Sequence, residues 1–139
     1  MDRESVEELL EEAAEGGSSG LEAQLDLMQA ELGHGHAEVL ALEEQLAHRY
    51  IASGDLGRAR GSLEEVLIYR AVLDGEHGIP TARVARDLFR LLSRVGDRPG
   101  MAEVYYRFLS WIPMRDSTTL APELRVVLAD VEAILAENC

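Results

Sequence analysis

The chain has 139 residues, enough for one domain with a real core. Its formal net charge of −13 excludes nonspecific attraction to nucleic acid or to an anionic membrane. Hydrophobic residues make up 47% and aromatic residues only 5%, a balance that together with abundant Ala, Leu and Glu favours helices over strands.

Residues 1–15, MDRESVEELLEEAAE, read as an acidic helix and lack the apolar run of a secretion signal. Residues 16–20, GGSSG, form a flexible break, and a helical domain is expected over 21–139. Its first helix carries Leu21, Leu25, Met28 and Leu32 at i, i+4, i+7 and i+11. After His34, Gly35 and His36, the next helix presents Val39, Leu42, Leu46 and Tyr50 on one face. Gly54 suits the position just past a helix end, and Asp55 suits the N-cap of the following helix. That helix aligns Leu56, Ala59, Leu63, Val66 and Leu67. Gly57 and Gly61 lie inside it, each at a cost of about 1 kcal/mol against Ala, and are expected to permit close approach of another helix.

The pattern then recurs. IPTARVARDLFRLLSRV, residues 79–95, places Val84, Leu88, Leu91 and Val95 on one face; Gly96 and Asp97 repeat the turn, and GMAEVYYRFLSWI continues as one helix. In that helix Met101, Tyr105, Tyr106, Phe108 and Trp111 are expected to pack in the core, and any left exposed would form a dimer or partner surface. DSTTLAP breaks the chain, and PELRVVLADVEAILAEN closes it with Leu124, Val127, Val131 and either Ile134 or Leu135 inward. No segment reads as a strand, and none approaches the roughly 18 apolar residues of a membrane span. The single cysteine, Cys139, is the last residue, so no internal disulfide forms, and a cytoplasmic protein is expected.

Gly54-Asp55 and Gly96-Asp97 are 42 residues apart. At that offset Leu46 meets Leu88, Leu42 meets Val84 and Tyr50 meets Leu92. The first unit resembles the tetratricopeptide repeat in its longer, kinesin-light-chain variety. Leu46, Ala47, Tyr50, Gly54, Ala59 and Leu63 match that pattern, and Leu32, Gly33 and His36 match its inter-repeat turn, with Ala37 in place of Pro. The second unit matches at Leu88, Leu92 and Gly96; Phe89 stands at the small-residue position, and Ala102 fits the second helix if the Arg98-Pro99-Gly100 turn holds one extra residue.

Residues 37 to 136 also resemble the bacterial transcriptional activator domain of actinobacterial antibiotic-regulatory proteins. The last helix of those domains often opens Ser-Pro-Glu-Leu-Arg, and here Pro122, Glu123, Leu124 and Arg125 follow Ala121. The winged-helix DNA-binding domain of those regulators is not among these 139 residues. All 13 basic residues are arginine, in keeping with a GC-rich, actinobacterial source. Together the resemblances imply an all-α, tetratricopeptide-like solenoid of helical hairpins with about seven helices. Its repeats would span about 37–73 and 79–113, with a helical hairpin before them and a capping helix over about 120–137.

Candidate chemistry is sparse. The histidines His34, His36, His48 and His77 match no His-Glu-x-x-His motif, and zinc needs three or four convergent ligands, so His34 and His36 read as turn residues. A metal protein or enzyme built on them is the minor alternative; no metal, cofactor or catalytic residue is expected. The informative pattern is Arg83, Arg86, Arg90 and Arg94, which fall within a strip about 80° wide on one helix. By the resemblance, the first helix of each pair lines a concave groove, so these four, with Arg49 and Tyr50, are the expected ligand-facing residues. Forked guanidiniums suit carboxylates, so the partner would be a protein or acidic peptide. Two other readings stay open: a solvated face neutralised by Asp87 and other acids, and a strip covered by the acidic helix 1–15. The expected function is a noncatalytic adaptor or regulatory module. The alternative is the regulatory and oligomerising domain of a transcriptional activator, acting as a homodimer.

Overall fold

The computed structural model describes residues 18–138, and the chain divides into two compact units, residues 1–62 and 63–139. All regular structure among the described residues is helical. The elements are α1 (Ser19–Leu32), α2 (Ala37–Ser53), α3 (Leu56–Asp74), α4 (Ile79–Val95), α5 (Arg98–Val104) continued by a π-helix (Tyr105–Leu109), a short 3-10 helix (Ile112–Met114), and α6 (Pro122–Glu137). Six α-helices thus stand where about seven were expected; the remaining one, over 1–15, lies outside the described residues. No helix among them is long and apolar enough to cross a membrane.

In the first unit α1 packs against α2. Helix α1 starts earlier than the expected break allows: the Glu22 N–H donates to the Ser18 carbonyl at 2.9 Å, and Gly20 is buried within the first turn. Leu21 and Leu25 are buried but Leu32 is exposed, so the apolar stripe is covered only at its N-terminal end. In α2, Val39, Leu42, Leu46 and Tyr50 are buried together, joined by Leu40 and Ala47. The Tyr50 hydroxyl donates to the Glu22 carboxylate. The Arg58 guanidinium lies 3.4 Å from the same carboxylate and 5.9 Å from the Tyr50 ring centroid. One phenol therefore links α1, α2 and the first turn of α3. Burial, and then the hydrogen bond and charge of Glu22, push the Tyr50 pKa up to about 12.

In the second unit α4 is central and packs against α5, the π-helix and α6. Val84, Leu88 and Leu91 are buried as expected, and so are Ala82, Ala85, Phe89 and Leu92 on the adjoining side. Val95, at the last turn, is exposed. The expected single helix after Gly96 is not continuous. The Ser110 N–H donates to the Tyr105 carbonyl at 2.8 Å, a five-residue step that makes the π turn. The Trp111 indole N–H then takes the Phe108 carbonyl at 2.8 Å, and Pro113 has no N–H to extend the ladder. In α6, Leu124, Val127, Val131 and Ile134 face inward while Leu135 is exposed, which settles the ambiguity at its end. The Arg125 side chain donates to the carbonyls of Leu120 (3.1 Å) and Ser117 (2.9 Å), so the arginine of the Pro-Glu-Leu-Arg run fastens the loop before the helix.

The 42-residue period holds in the backbone. Helices α2 and α4 start and stop 42 residues apart. Gly54 (φ 84°) and Gly96 (φ 76°) both take the left-handed conformation, where a side chain is strained. The following Asp N–H reaches back to Tyr50 at 2.8 Å in one case and to Leu92 at 3.0 Å in the other. Asp55 and Asp97 then accept the N–H three residues on, from Arg58 at 3.3 Å and Gly100 at 3.0 Å. The period therefore runs through the turn with no extra residue. The position equivalent to Ala59 is Met101, which is buried, whereas Ala102 is exposed and is not the repeat position it was expected to be. Burial repeats a third time. Leu40, Ala82 and Leu124 are buried in register, as are Ala47, Phe89 and Val131, and Tyr50, Leu92 and Ile134. By register, α6 repeats the buried positions of α2 and α4.

Gly57 and Gly61 do not mark a close approach. An added Cβ at either would meet nothing within 4 Å, and both are exposed. The double substitution Gly57→Ala, Gly61→Ala is expected to raise stability by about 1–2 kcal/mol, since Ala loses less backbone entropy in a helix. Thermal unfolding followed by circular dichroism checks this; an unchanged or lower midpoint would contradict it.

Candidate functional site

The four arginines of α4 diverge in environment. Arg86 is held: its Nε donates to Asp87 and its guanidinium to Asp130 of α6, each at 3.1 Å, with a side-chain exposure of 19%. Arg90, half exposed, lies 3.6 Å from Asp130 and 4.0 Å from Asp87. Two arginines and two carboxylates thus form one network that fastens α6 to α4. Arg83 and Arg94 are exposed and have no carboxylate partner among the described residues. Arg83 stands with Arg86 beside an open pocket of about 330 Å³ at the start of α6, formed with Pro122, Glu123 and Val126. The strip therefore offers Arg83, Arg90 and Arg94 outward, while Arg86 serves the fold.

The other expected contacts fall elsewhere. Tyr50 is buried with its hydroxyl committed to Glu22, so it is not available to a ligand. Arg49 is half-buried beside Ser18, Ala52 and Ser53 in the first unit. Among the histidines, His36 is the N-cap of α2: its Nδ1 accepts the Glu38 N–H at 3.2 Å. His34 and His48 are exposed, and His77 stacks on Trp111 with ring centroids 4.5 Å apart. No three His, Cys, Asp or Glu side chains among the described residues converge as a metal site would require.

The aromatic segment after Gly96, expected in the core with any exposed member forming a dimer or partner surface, leaves one side open. Between α5, the π-helix and the end of α6 lies an open groove of about 290 Å³ lined by Phe89, Met101, Tyr105, Tyr106 and Leu135, with Arg98 on its rim. Tyr106 is 74% exposed, and its ring meets that of Tyr105 edge-on at 5.3 Å. The π turn is the reason: it changes the helix phase at Tyr105, and no local residue pattern announced it. The chain matches no protein-family model and no curated protein sequence.

Proposed function

We propose that the chain is a noncatalytic, tetratricopeptide-like binding module that takes an acidic protein segment along the outer face of α4. The observation that carries this reading is the pair Arg83 and Arg94: exposed guanidiniums on one strip with Arg90, without carboxylate partners among the described residues, in a chain of net charge −13. An acidic chain that keeps three arginines in line on one face presents carboxylates with a local attraction that opposes its overall charge. Arg83 and Arg94 are eleven residues apart on one helix, about 16 Å, the length of a short peptide segment. Nothing in the reading requires bond chemistry.

The test is capture from the native host by immobilised protein, compared with the double variant Arg83→Glu, Arg94→Glu. Partners identified by mass spectrometry should be acidic, should be lost with the variant while its helical signal is intact, and should bind less tightly as salt rises. Equal capture by the variant would remove the arginine face from consideration. Arg86 and Arg90 are left unchanged in this test because both reach Asp130 and hold α6.

A further inference from the structure

The two arginines that reach Asp130 hold it unequally. Arg86 donates to Asp130 and to Asp87, each at 3.1 Å, and its side chain is only 19% exposed. Arg90 stands 3.6 Å from Asp130 and 4.0 Å from Asp87, beyond hydrogen-bond distance of both, and its side chain is 50% exposed. Its attraction to these acids is therefore a solvent-screened charge contact, weaker than the hydrogen-bonded pairs of Arg86. Helical phase separates the two in the same way. At about 100° per residue, Arg90 falls within about 40° of both Arg83 and Arg94, in the middle of the open strip, while Arg86 is turned about 40° further round from Arg90, on the side that meets α6.

We infer, on the reading of α4 as a face for acidic segments, that Asp130 is a built-in competitor for that face. Its carboxylate occupies Arg90 in the free protein, and an incoming segment must draw Arg90 away from it to engage the whole strip. Arg90 can be handed over because Asp130 keeps its hydrogen bond from Arg86, so neither the acid nor the attachment of α6 is left without a partner. Asp130 is itself 34% exposed, so a ligand carboxylate can reach the same guanidinium from solvent. The consequence is selectivity by number of charges. A single carboxylate meets Arg83 or Arg94 alone, about 16 Å apart, whereas a segment with several acids also gains the cation between them by displacing a carboxylate already there.

Fluorescence anisotropy on the whole chain tests this with a labelled oligoglutamate of about six residues, which spans the strip when extended. Asp130→Asn keeps an oxygen to accept from Arg86 but removes the competing charge, and should tighten binding roughly three- to fivefold. Arg90→Gln, added to Asp130→Asn, should abolish that gain. Glu132→Gln, the same change in net charge at an exposed position of α6, should alter binding by less than about twofold. Urea unfolding adds a measure that needs no ligand: Arg90→Gln should lower the midpoint less than Arg86→Gln does. Equal binding by wild type and Asp130→Asn would overturn the inference and leave the binding face standing. So would a gain that survives Arg90→Gln or is matched by Glu132→Gln, or an Arg90→Gln midpoint as low as that of Arg86→Gln. No oligoglutamate binding by either wild type or Asp130→Asn would remove the binding face and its competitor together.

Discussion

Phe89→Ala is expected to lower the unfolding free energy by about 3–5 kcal/mol, the range for removing a fully buried aromatic ring. The residue is only 1% exposed and is among the largest fully buried side chains of the protein. It sits centrally on α4, and its ring approaches that of Tyr105 at 6.2 Å. The loss therefore combines transfer of the ring, the void left behind and a broken aromatic pair. Urea unfolding followed by circular dichroism measures it, and a loss below about 1 kcal/mol would mean that the site collapses around the smaller residue. The reciprocal change Ala47→Phe, at the equivalent position of α2, is also expected to destabilise. Ala47 is fully buried, so an added ring there must displace its neighbours.

The second large effect concerns alkaline pH. The Tyr50 phenol is raised from 10.0 in the unfolded chain to about 12 in the fold, so the folded state favours the neutral form. Its stabilising contribution is fully present below about pH 10 and drains away as pH rises toward about 12. The protein suits the measurement because it has no lysine: its 13 basic side chains are all arginine and stay charged there. Tyr50→Phe is expected to cost about 1–3 kcal/mol at neutral pH, the worth of a hydrogen bond to a carboxylate, and to flatten the decline between pH 10 and 12. Urea midpoints across that interval give the answer. If the wild type and the variant decline in parallel, the Tyr50–Glu22 bond carries no such linkage.

Much of the fold was legible because helix ends obey local rules. Gly54, Gly96, Asp55 and Asp97 each act through their own backbone or the N–H three residues on, so a short stretch of sequence contains the whole cause. The buried faces of α2 and α4 were legible from their spacing for the same reason. What escaped depends on residues far apart in the chain. Asp130 neutralises Arg86 from 44 positions away, and no feature of either helix names its partner. Tyr50 carried the expected repeat tyrosine, but its role was set by Glu22, 28 positions earlier. Gly57 and Gly61 misled because glycine in a helix has two meanings, room for a neighbour or plain weakness, and only the surrounding space distinguishes them. The π turn escaped because no residue pattern over 98–109 distinguishes it from a continuous α-helix.

The matching glycines have a consequence for how such a chain changes length. Gly33 (φ 89°) and Gly75 (φ 90°) are also 42 residues apart, and each is followed three residues later by an N–H that closes back on its carbonyl, from His36 at 3.4 Å and Gly78 at 3.1 Å. Residues 33–74 therefore begin and end at equivalent joints. A tandem duplication of that cassette would splice Asp74 to a glycine of the same conformation and restart a helix in the same phase, so the chain can grow in whole modules where an insertion of any other length would put the next helix out of register.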